Sequence, residues 1–140
     1  MQCLSVVAGV LPIDLYIQRR IHRYRISREL PTVIGDVIIR VGYHEDPDAR
    51  DNARNLVEEG MVEAWQRRWD LSQKGRHTSA FFLYVNSRLR TRWFVATHYI
   101  TQMVTGHGAF KERLHRLGLA EDPRCSCPLG GPETPENILY

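Results

Sequence analysis

The stretch that decides the fold is DARDNARNLVEEGMVEAWQRRWDL, from Asp48 to Leu71. Its apolar residues recur every three or four positions, which is the spacing of one face of an α-helix. This stripe consists of Ala53, Val57, Met61, Ala64, Trp65 and Trp69. We predict that Asp48 caps the helix, because a carboxylate at that position accepts hydrogen bonds from the free backbone amides of the first turn. The pattern therefore predicts one long helix with its stripe facing a core.

A second amphipathic helix is predicted upstream, from Pro12 to Leu30. Proline suits the first turn of a helix, and the residue before Pro31 disfavours helical backbone, so both ends have a physical reason. The apolar side consists of Ile13, Ile17, Ile21 and Tyr24. The basic side consists of Arg19, Arg20, Arg23, Arg25 and Arg28. We expect the apolar side to pack on the core and the basic side to face outward.

Between these two helices the sequence leaves the structure open. Thr32–Tyr43 is rich in β-branched residues, which favours a strand. However, Val33, Val37 and Val41 also recur at helical spacing, so periodicity does not decide between strand and helix.

The second half predicts short elements separated by turns. The expected elements are an exposed loop over Ser72–Ser79, a short buried element over Phe81–Val85, and helices over Arg92–Val104 and Ala109–Leu117. From Glu121 onward the chain is rich in proline and glycine and is expected to be irregular. The fold class is therefore mainly α: a bundle-like helical region over residues 1–118, followed by an irregular, cysteine-containing tail over residues 119–140.

The charge of the chain is modest, but its composition is informative. The net charge is only +3, yet Lys74 and Lys111 are the only lysines among 19 basic residues. Arginine carries a planar fork of donors that fits phosphate groups, which favours nucleic acid as a partner. A GC-rich coding sequence would produce the same bias, so both explanations stay open.

Several arginines alternate with aromatic residues, a pattern typical of surfaces that bind nucleic acids. The candidate nucleic-acid-binding residues are Arg19, Arg20, Arg23, Arg25, Arg28, Arg67, Arg68, Arg88, Arg90 and Arg92. The alternative is that the aromatic residues belong to the core and the arginines to a solvated surface. For Trp65 and Trp69 we favour the core, because their spacing continues the apolar stripe.

Other classes of protein find little support in the sequence. Three cysteines cannot form an even set of disulfides, which indicates a reducing, intracellular compartment. The apolar run from Leu4 to Leu11 lacks a preceding basic region and is too short to span a membrane. There is no phosphate-binding loop, no nucleophile elbow and no pair of adjacent aspartates that could hold two magnesium ions. We therefore expect no complete catalytic site in this chain.

Four motifs occur in an order that points to a family. They are AGVLPIDL at residues 8–15, WQRRWDLSQKGRHT at 65–78, VTGHGAFKERLHRLG at 104–118 and CSCPLGGPETPENILY at 125–140. Together they resemble the region downstream of the reverse transcriptase domain in the polyproteins of non-LTR retrotransposons. The resemblance is strongest to the arthropod type-1 elements that insert into ribosomal RNA genes, and it covers almost the whole chain.

This resemblance implies a parent protein with two activities, an RNA-directed DNA polymerase and an endonuclease. The catalytic residues and the magnesium of the polymerase would then lie upstream of Met1, so we expect the chain to be a fragment. Residues 1–118 would be a post-polymerase, thumb-like or linker-like region. The implied partners are template RNA, target DNA and the upstream polymerase domain, and the implied location is the nucleus. The alternatives are a structural packing module without nucleic-acid contact and an unrelated small basic regulator.

The resemblance also bears on zinc. In the family, a Cys-x-Cys pair opens a CCHC zinc knuckle, and this carries over to Cys125 and Cys127 only. Asn137 stands where the family has histidine, and the last cysteine is not present in the sequence. Because structural zinc takes four ligands, the sequence predicts an incomplete zinc site.

Overall fold

The computed structural model describes residues 2–42 and 47–139. Within these ranges the elements are α1 (Gln2–Ala8), α2 (Ile13–Ser27), β1 (Thr32–Ile34), β2 (Val37–Ile39), α3 (Pro47–Leu71), α4 (Arg76–Phe81), α5 (Val85–Arg90), α6 (His98–Thr105), α7 (Lys111–Arg116) and α8 (Pro135–Leu139). The prediction of a mainly α fold is confirmed. None of the helices in the described part of the chain is both long and apolar enough to cross a bilayer.

Helix α3 forms the centre of the core, as its stripe predicts. Its buried residues are Ala53, Val57, Met61, Trp65 and Trp69. The side chain of Trp65 is completely buried, and the indole Nε1–H of Trp69 donates to the Phe82 carbonyl at 2.8 Å. The helix begins at Pro47, so Asp48 lies inside the first turn and the prediction that it is the cap is wrong. At this position its carboxylate still stabilises the positive end of the helix dipole.

Helix α2 packs on α3, but with the side opposite to the predicted one. Leu15 and Ile26 are buried, whereas the stripe from Ile13 to Tyr24 is exposed. The physical reason is that two residues of α3 form ion pairs with α2: Glu58 with Arg19, and Arg68 with Asp14. These ion pairs favour packing of this side of α2 on α3. The tertiary contacts thus override the amphipathic pattern of the isolated helix.

Helix α2 also ends three residues before the predicted Leu30. Glu29 has a left-handed backbone with φ of 58°, and the Leu30 amide donates to the Arg25 carbonyl at 2.8 Å. A left-handed residue just past the last turn is a common helix stop. The side chain of Glu29 pairs with Arg50 on α3 at 2.5 Å, which links this unusual backbone to the long helix.

The undecided stretch after α2 is an antiparallel hairpin. Thr32 pairs with Ile39 and Ile34 with Val37, and Gly35 takes a left-handed conformation in the turn. Tyr43, the end of this predicted stretch, lies outside the described residues. The hairpin contacts α3 at Gly60, where a Cβ atom would come within 2.4 Å of Ile34 Cγ2. A glycine in the middle of a long helix is therefore explained by the close approach of β1.

The second half contains four corrections. Helix α4 begins at Arg76 with Thr78 buried, so only the first part of Ser72–Ser79 is the expected loop. In Phe81–Val85, only Val85 is buried, because the segment joins two helices rather than forming a core element. The remaining two predicted helices are shorter than expected, at His98–Thr105 and Lys111–Arg116.

The start of α6 has a clear local cause. The hydroxyl of Thr97 accepts a hydrogen bond from the Ile100 amide at 3.3 Å, which is an N-cap contact. Residues 92–97 therefore precede the helix as an irregular segment.

The tail is irregular between residues 118 and 134 and contacts the helical region. The Glu112 amide donates to the Glu133 carbonyl at 3.4 Å, and the imidazole Nδ1 of His77 lies 2.7 Å from Glu136 Oε1. The only regular element after α7 in the described part is α8. The division of the chain at residue 118 stays a prediction.

Candidate nucleic-acid interface

The ten candidate arginines fall into three environments. In the first, the guanidinium group forms an ion pair with a carboxylate of the same chain. Arg19 and Arg23 of α2 both contact Glu58, at 3.2 and 3.3 Å. Arg68 of α3 pairs with Asp14, and this contact holds the pKa of the Asp14 carboxyl below its usual value. These three guanidinium groups are partly neutralised by carboxylates within the chain.

The second environment is burial, and it contains Arg88 alone. Its side chain is 7% exposed, and its Nε and Nη2 donate to the Val7 carbonyl at 3.2 and 2.7 Å. The guanidinium lies 4.6 Å from the ring centroid of Phe94 and 5.6 Å from that of Phe82. Burial lowers the pKa of Arg88. Arg88 is therefore a structural residue, and its assignment as a nucleic-acid ligand does not fit the structure.

Arg88 nevertheless affects the exposed residues that follow it in the chain. Its Nη1 donates to the Thr91 carbonyl at 3.3 Å, and the Phe94 ring contacts both the guanidinium and the Phe82 ring. With Thr91 and Phe94 fixed from inside, the two residues between them, Arg92 and Trp93, face solvent. Trp93 is 83% exposed.

The third environment is the solvent-exposed surface, and one part of it combines charge with an aromatic ring. Arg90 and Arg92 are exposed and form no ion pair within residues 2–42 and 47–139, and Arg90 lines a pocket together with Glu58, Glu59 and Glu63. Both lie close in sequence to Trp93. We call Arg90, Arg92 and Trp93 the Arg90–Trp93 segment. It offers two phosphate-binding forks and a free indole face on one short stretch.

The other exposed candidates lie on α2 and α3. Arg25 Nε donates to the Pro31 carbonyl at 3.0 Å, and Arg28 lies over the Tyr24 ring at 5.5 Å. Arg20 and Arg67 are also exposed. On α2 the exposed tyrosine rings already lie under arginines of the same chain, Tyr16 under Arg19 and Tyr24 under Arg28, and the other exposed apolar side chains there are isoleucines.

The aromatic residues confirm one interpretation and reveal one omission. Trp65 and Trp69 are core residues, as their spacing indicates. Trp93 falls within the helix predicted over Arg92–Val104, but the structure places it before α6 and exposes it. Tyr99, 77% exposed on α6, was not singled out by the sequence. Nothing in its local pattern distinguishes it from a buried aromatic residue.

The cysteine pair lies in the tail. Cys125, Cys127 and Asn137 line one pocket, and the Cys127 amide donates to Cys125 Sγ at 3.2 Å. The contact between the two thiols lowers the pKa of Cys127 and raises that of Cys125. Asn137 uses its amide Nδ2–H to donate to the Pro132 carbonyl at 2.8 Å.

These residues do not fit a complete zinc site. No group of three histidine, cysteine, aspartate or glutamate side chains in the described ranges is placed to hold a metal ion. Two thiols occupy half of a tetrahedral coordination sphere, and an amide nitrogen bound to a carbonyl is not a zinc ligand. Zinc binding by Cys125 and Cys127 stays a prediction.

Sequence comparisons identify the relatives of the chain. It is 35% identical, over 127 residues, to the "Retrovirus-related Pol polyprotein from type-1 retrotransposable element R1 4" of Nasonia vitripennis. It is 31% identical, over 127 residues, to the "Putative 115 kDa protein in type-1 retrotransposable element R1DM" of Drosophila melanogaster. The chain is homologous to a region of type-1 retrotransposon polyproteins.

The matches cover 90% and 89% of this chain but 31% and 12% of these two relatives. The chain therefore spans less than a third of the length of the curated relatives it matches. No protein-family profile matches it. No solved structure matches it either.

Proposed function

We propose that this retrotransposon segment lies downstream of a reverse transcriptase domain and helps to hold template RNA or target DNA during target-primed insertion. The parent polyprotein would supply the RNA-directed DNA polymerase, its magnesium and the endonuclease, and would act in the nucleus. The 140-residue chain itself would contribute nucleic-acid binding and no catalytic residue. The observation that supports this proposal is the exposed Arg90–Trp93 segment.

The chemistry of the three side chains suits a single strand. A guanidinium neutralises a backbone phosphate and releases its counterions, which gives affinity without sequence preference. An exposed indole stacks on any unpaired base, because every base has a π-face. In a duplex the bases are already stacked on one another. We therefore propose that single-stranded nucleic acid binds more tightly than duplex.

The way the segment is held also supports binding. Arg88 contacts Thr91 and Phe94 on either side of Arg92 and Trp93. The backbone between them is thus constrained before a ligand arrives, so less conformational entropy is lost on binding.

A salt titration tests the proposal. The affinity of the chain for a single-stranded RNA, a single-stranded DNA and a duplex is measured by fluorescence anisotropy over a range of salt concentrations. We expect log affinity to fall linearly with log salt. In the double variant Arg90→Ala, Arg92→Ala, the slope should become shallower by about 0.7 for each lost phosphate contact on a single strand.

A matched variant controls for charge. Arg20→Ala, Arg28→Ala removes the same two charges from α2, and we expect it to keep most of the slope. Two results would contradict the proposal: absence of binding by the unmodified chain at low salt, or an equal loss of affinity in both double variants. The second result would show that net charge, rather than the Arg90–Trp93 segment, determines binding.

We also propose that the cysteine pair alone binds zinc weakly. A competition titration with a chromophoric chelator measures the zinc affinity of the chain and of Asn137→His, which adds an imidazole to the same pocket. Zinc affinity should rise in the variant, because a third ligand of a usual type is supplied. Equal affinities would show that residue 137 does not approach the metal.

A further inference from the structure

The outer side of α2 carries an apolar stripe that the fold leaves uncovered. We call Ile13, Ile17, Ile21 and Tyr24 the isoleucine face. These side chains are 72%, 51%, 50% and 58% exposed, respectively. They lie on the side of α2 opposite to Leu15 and Ile26, which are both 1% exposed and pack towards α3.

Scattered exposed apolar residues are normal, but a continuous stripe is not. The four residues of the isoleucine face follow one another at helical spacing over three turns, so they form one strip of surface. Contiguous exposed apolar surfaces of this kind usually mark sites of protein contact.

The inner side of α2 makes the arrangement more unusual. It includes Arg19, ion-paired with Glu58, and His22, which contacts the Thr32 hydroxyl at 2.5 Å. The helix therefore places charged and polar groups beside Leu15 and Ile26 on its packed side, and a strip of apolar groups on its outer side. Such a helix has a second packing surface in addition to the one on α3.

Nucleic acid does not suit the isoleucine face. Isoleucine has neither a π-face for stacking on bases nor a donor for phosphate. Three of the four side chains would therefore make no specific contact with nucleic acid. An apolar protein surface would gain free energy from the same contact, at about 25 cal/mol for each Å² of apolar area buried.

We infer that the isoleucine face docks on the polymerase part of the same polyprotein. Most of the length of the matched relatives lies outside the region that this chain covers, so such a partner surface has a source. Arg20 is exposed on α2 and forms no ion pair within the described ranges. Arg28 is exposed just after the end of α2, over the Tyr24 ring. The fitting partner is therefore an apolar surface flanked by aspartate or glutamate. This inference rests on the proposed position in the polyprotein, but not on the proposed nucleic-acid contact.

Hydroxyl-radical footprinting of the complete polyprotein tests the inference. The labelling of Ile17, Ile21 and Tyr24 is compared with that of Leu71, an internal standard that is 80% exposed at the end of α3. We expect labelling of the isoleucine face to be severalfold lower in the polyprotein than in the 140-residue chain alone. The labelling of Leu71 should be the same in both.

A variant pair separates docking from other causes of protection. Ile17→Asp, Ile21→Asp should restore the labelling of Tyr24 in the polyprotein, because buried carboxylates disfavour an apolar contact. Val95→Asp, at a residue 67% exposed on another segment, serves as the control and should leave Tyr24 protected.

Two outcomes would overturn the inference. The first is labelling of the isoleucine face in the polyprotein at the level seen in the chain alone. The second is protection that already appears in the chain alone and increases with its concentration, which would assign the face to a second copy. Arg90→Ala, Arg92→Ala should not change the protection, and Ile17→Asn, Ile21→Asn, which adds no charge, should not change RNA binding by the chain. The docking and the nucleic-acid contact therefore fail independently.

Discussion

The outer face of α2 and the Arg90–Trp93 segment are both exposed and both carry arginine, but their neighbours differ. On the outer side of α2, Arg20 lies among isoleucines, and Arg28, just after the end of the helix, lies over the Tyr24 ring. In the second region, Arg90 and Arg92 lie beside an exposed tryptophan. The first set of side chains suits an apolar protein surface, and the second suits phosphates and unpaired bases. Arginine content alone therefore does not distinguish the two surfaces, and the two proposals depend on the side chains beside the arginines.

The two regions are also held by different means. The Arg90–Trp93 segment is fixed from inside by Arg88, a buried cation with backbone and aromatic contacts. Helix α2 is held by two buried aliphatic residues and by ion pairs to α3. The following changes test each part of this comparison, beginning with the largest expected effect.

The two sides of α2 should differ most in stability. Leu15→Ala removes a buried side chain and should lower the free energy of unfolding by about 2–5 kcal/mol. Ile17→Ala on the outer face should change it by less than about 0.5 kcal/mol in the isolated chain. Urea denaturation followed by circular dichroism measures both. A large loss in Ile17→Ala would mean that the outer face is covered within the chain itself, and the comparison would fail.

Arg88 and Arg90 should behave differently although they are two residues apart. Arg88→Ala breaks hydrogen bonds from a charged group, each worth about 1.5–3 kcal/mol, and should destabilise the chain by about 3 kcal/mol. Arg90→Ala should leave stability within about 0.5 kcal/mol, because this side chain is exposed. Equal thermal denaturation curves for Arg88→Ala and the unmodified chain would contradict the structural role of Arg88.

Trp93 provides the sharpest test of the Arg90–Trp93 segment. Trp93→Ala should weaken binding of single-stranded RNA by about 1–3 kcal/mol, which is the range for one base stacked on an aromatic side chain. The matched control is Tyr99→Ala, another exposed aromatic residue outside the segment. Fluorescence anisotropy at fixed low salt measures both affinities. Equal losses of affinity in the two variants would show that the binding surface extends beyond the Arg90–Trp93 segment, which would contradict the proposed role of this segment.

The ion pair between Asp14 and Arg68 should have the smallest effect. Arg68 lowers the pKa of Asp14, so the pair stabilises the fold above the ordinary pKa of an aspartate. This contribution is lost as the pH falls through the lowered pKa of the folded state. Because both side chains are partly exposed, Asp14→Asn should cost only about 0.2–1 kcal/mol at pH 7, and nothing at a pH where the carboxyl is protonated. Denaturation curves at pH 7 and at strongly acidic pH check both statements, and a cost that persists in acid would contradict them.

Sequence patterns predicted the parts of the fold that depend on local order. The stripe of α3 is buried as predicted because its period is regular over about four and a half turns, from Ala53 to Trp69. The hairpin at Thr32 was undecidable because valines at positions 33, 37 and 41 fit both periods. The turn at Gly35, the pairing of β1 with β2 and the packing of Ile34 against Gly60 of α3 determine the result.

Contacts between distant residues account for the remaining errors. The orientation of α2 depends on Glu58 and Arg68, which lie more than 30 residues further along the chain. The burial of Arg88 depends on a carbonyl 81 residues away, and no local signal separates it from Arg90 and Arg92. For the candidate interface, the sequence therefore identified the arginines and the order of motifs, but not which side chains are accessible.

The contact between Arg88 and Val7 has a consequence for how the chain is made. Protein synthesis proceeds at about 5–20 residues per second, so Arg88 is added roughly 4–16 s after Val7. Throughout that interval the carbonyl of Val7 lacks its guanidinium donor, and the two valines buried in the finished fold, Val6 and Val7, lack α5 as a partner. Helix α1 is therefore translated well before α5, on which it docks, and the nascent chain exposes an apolar segment to chaperones during that time.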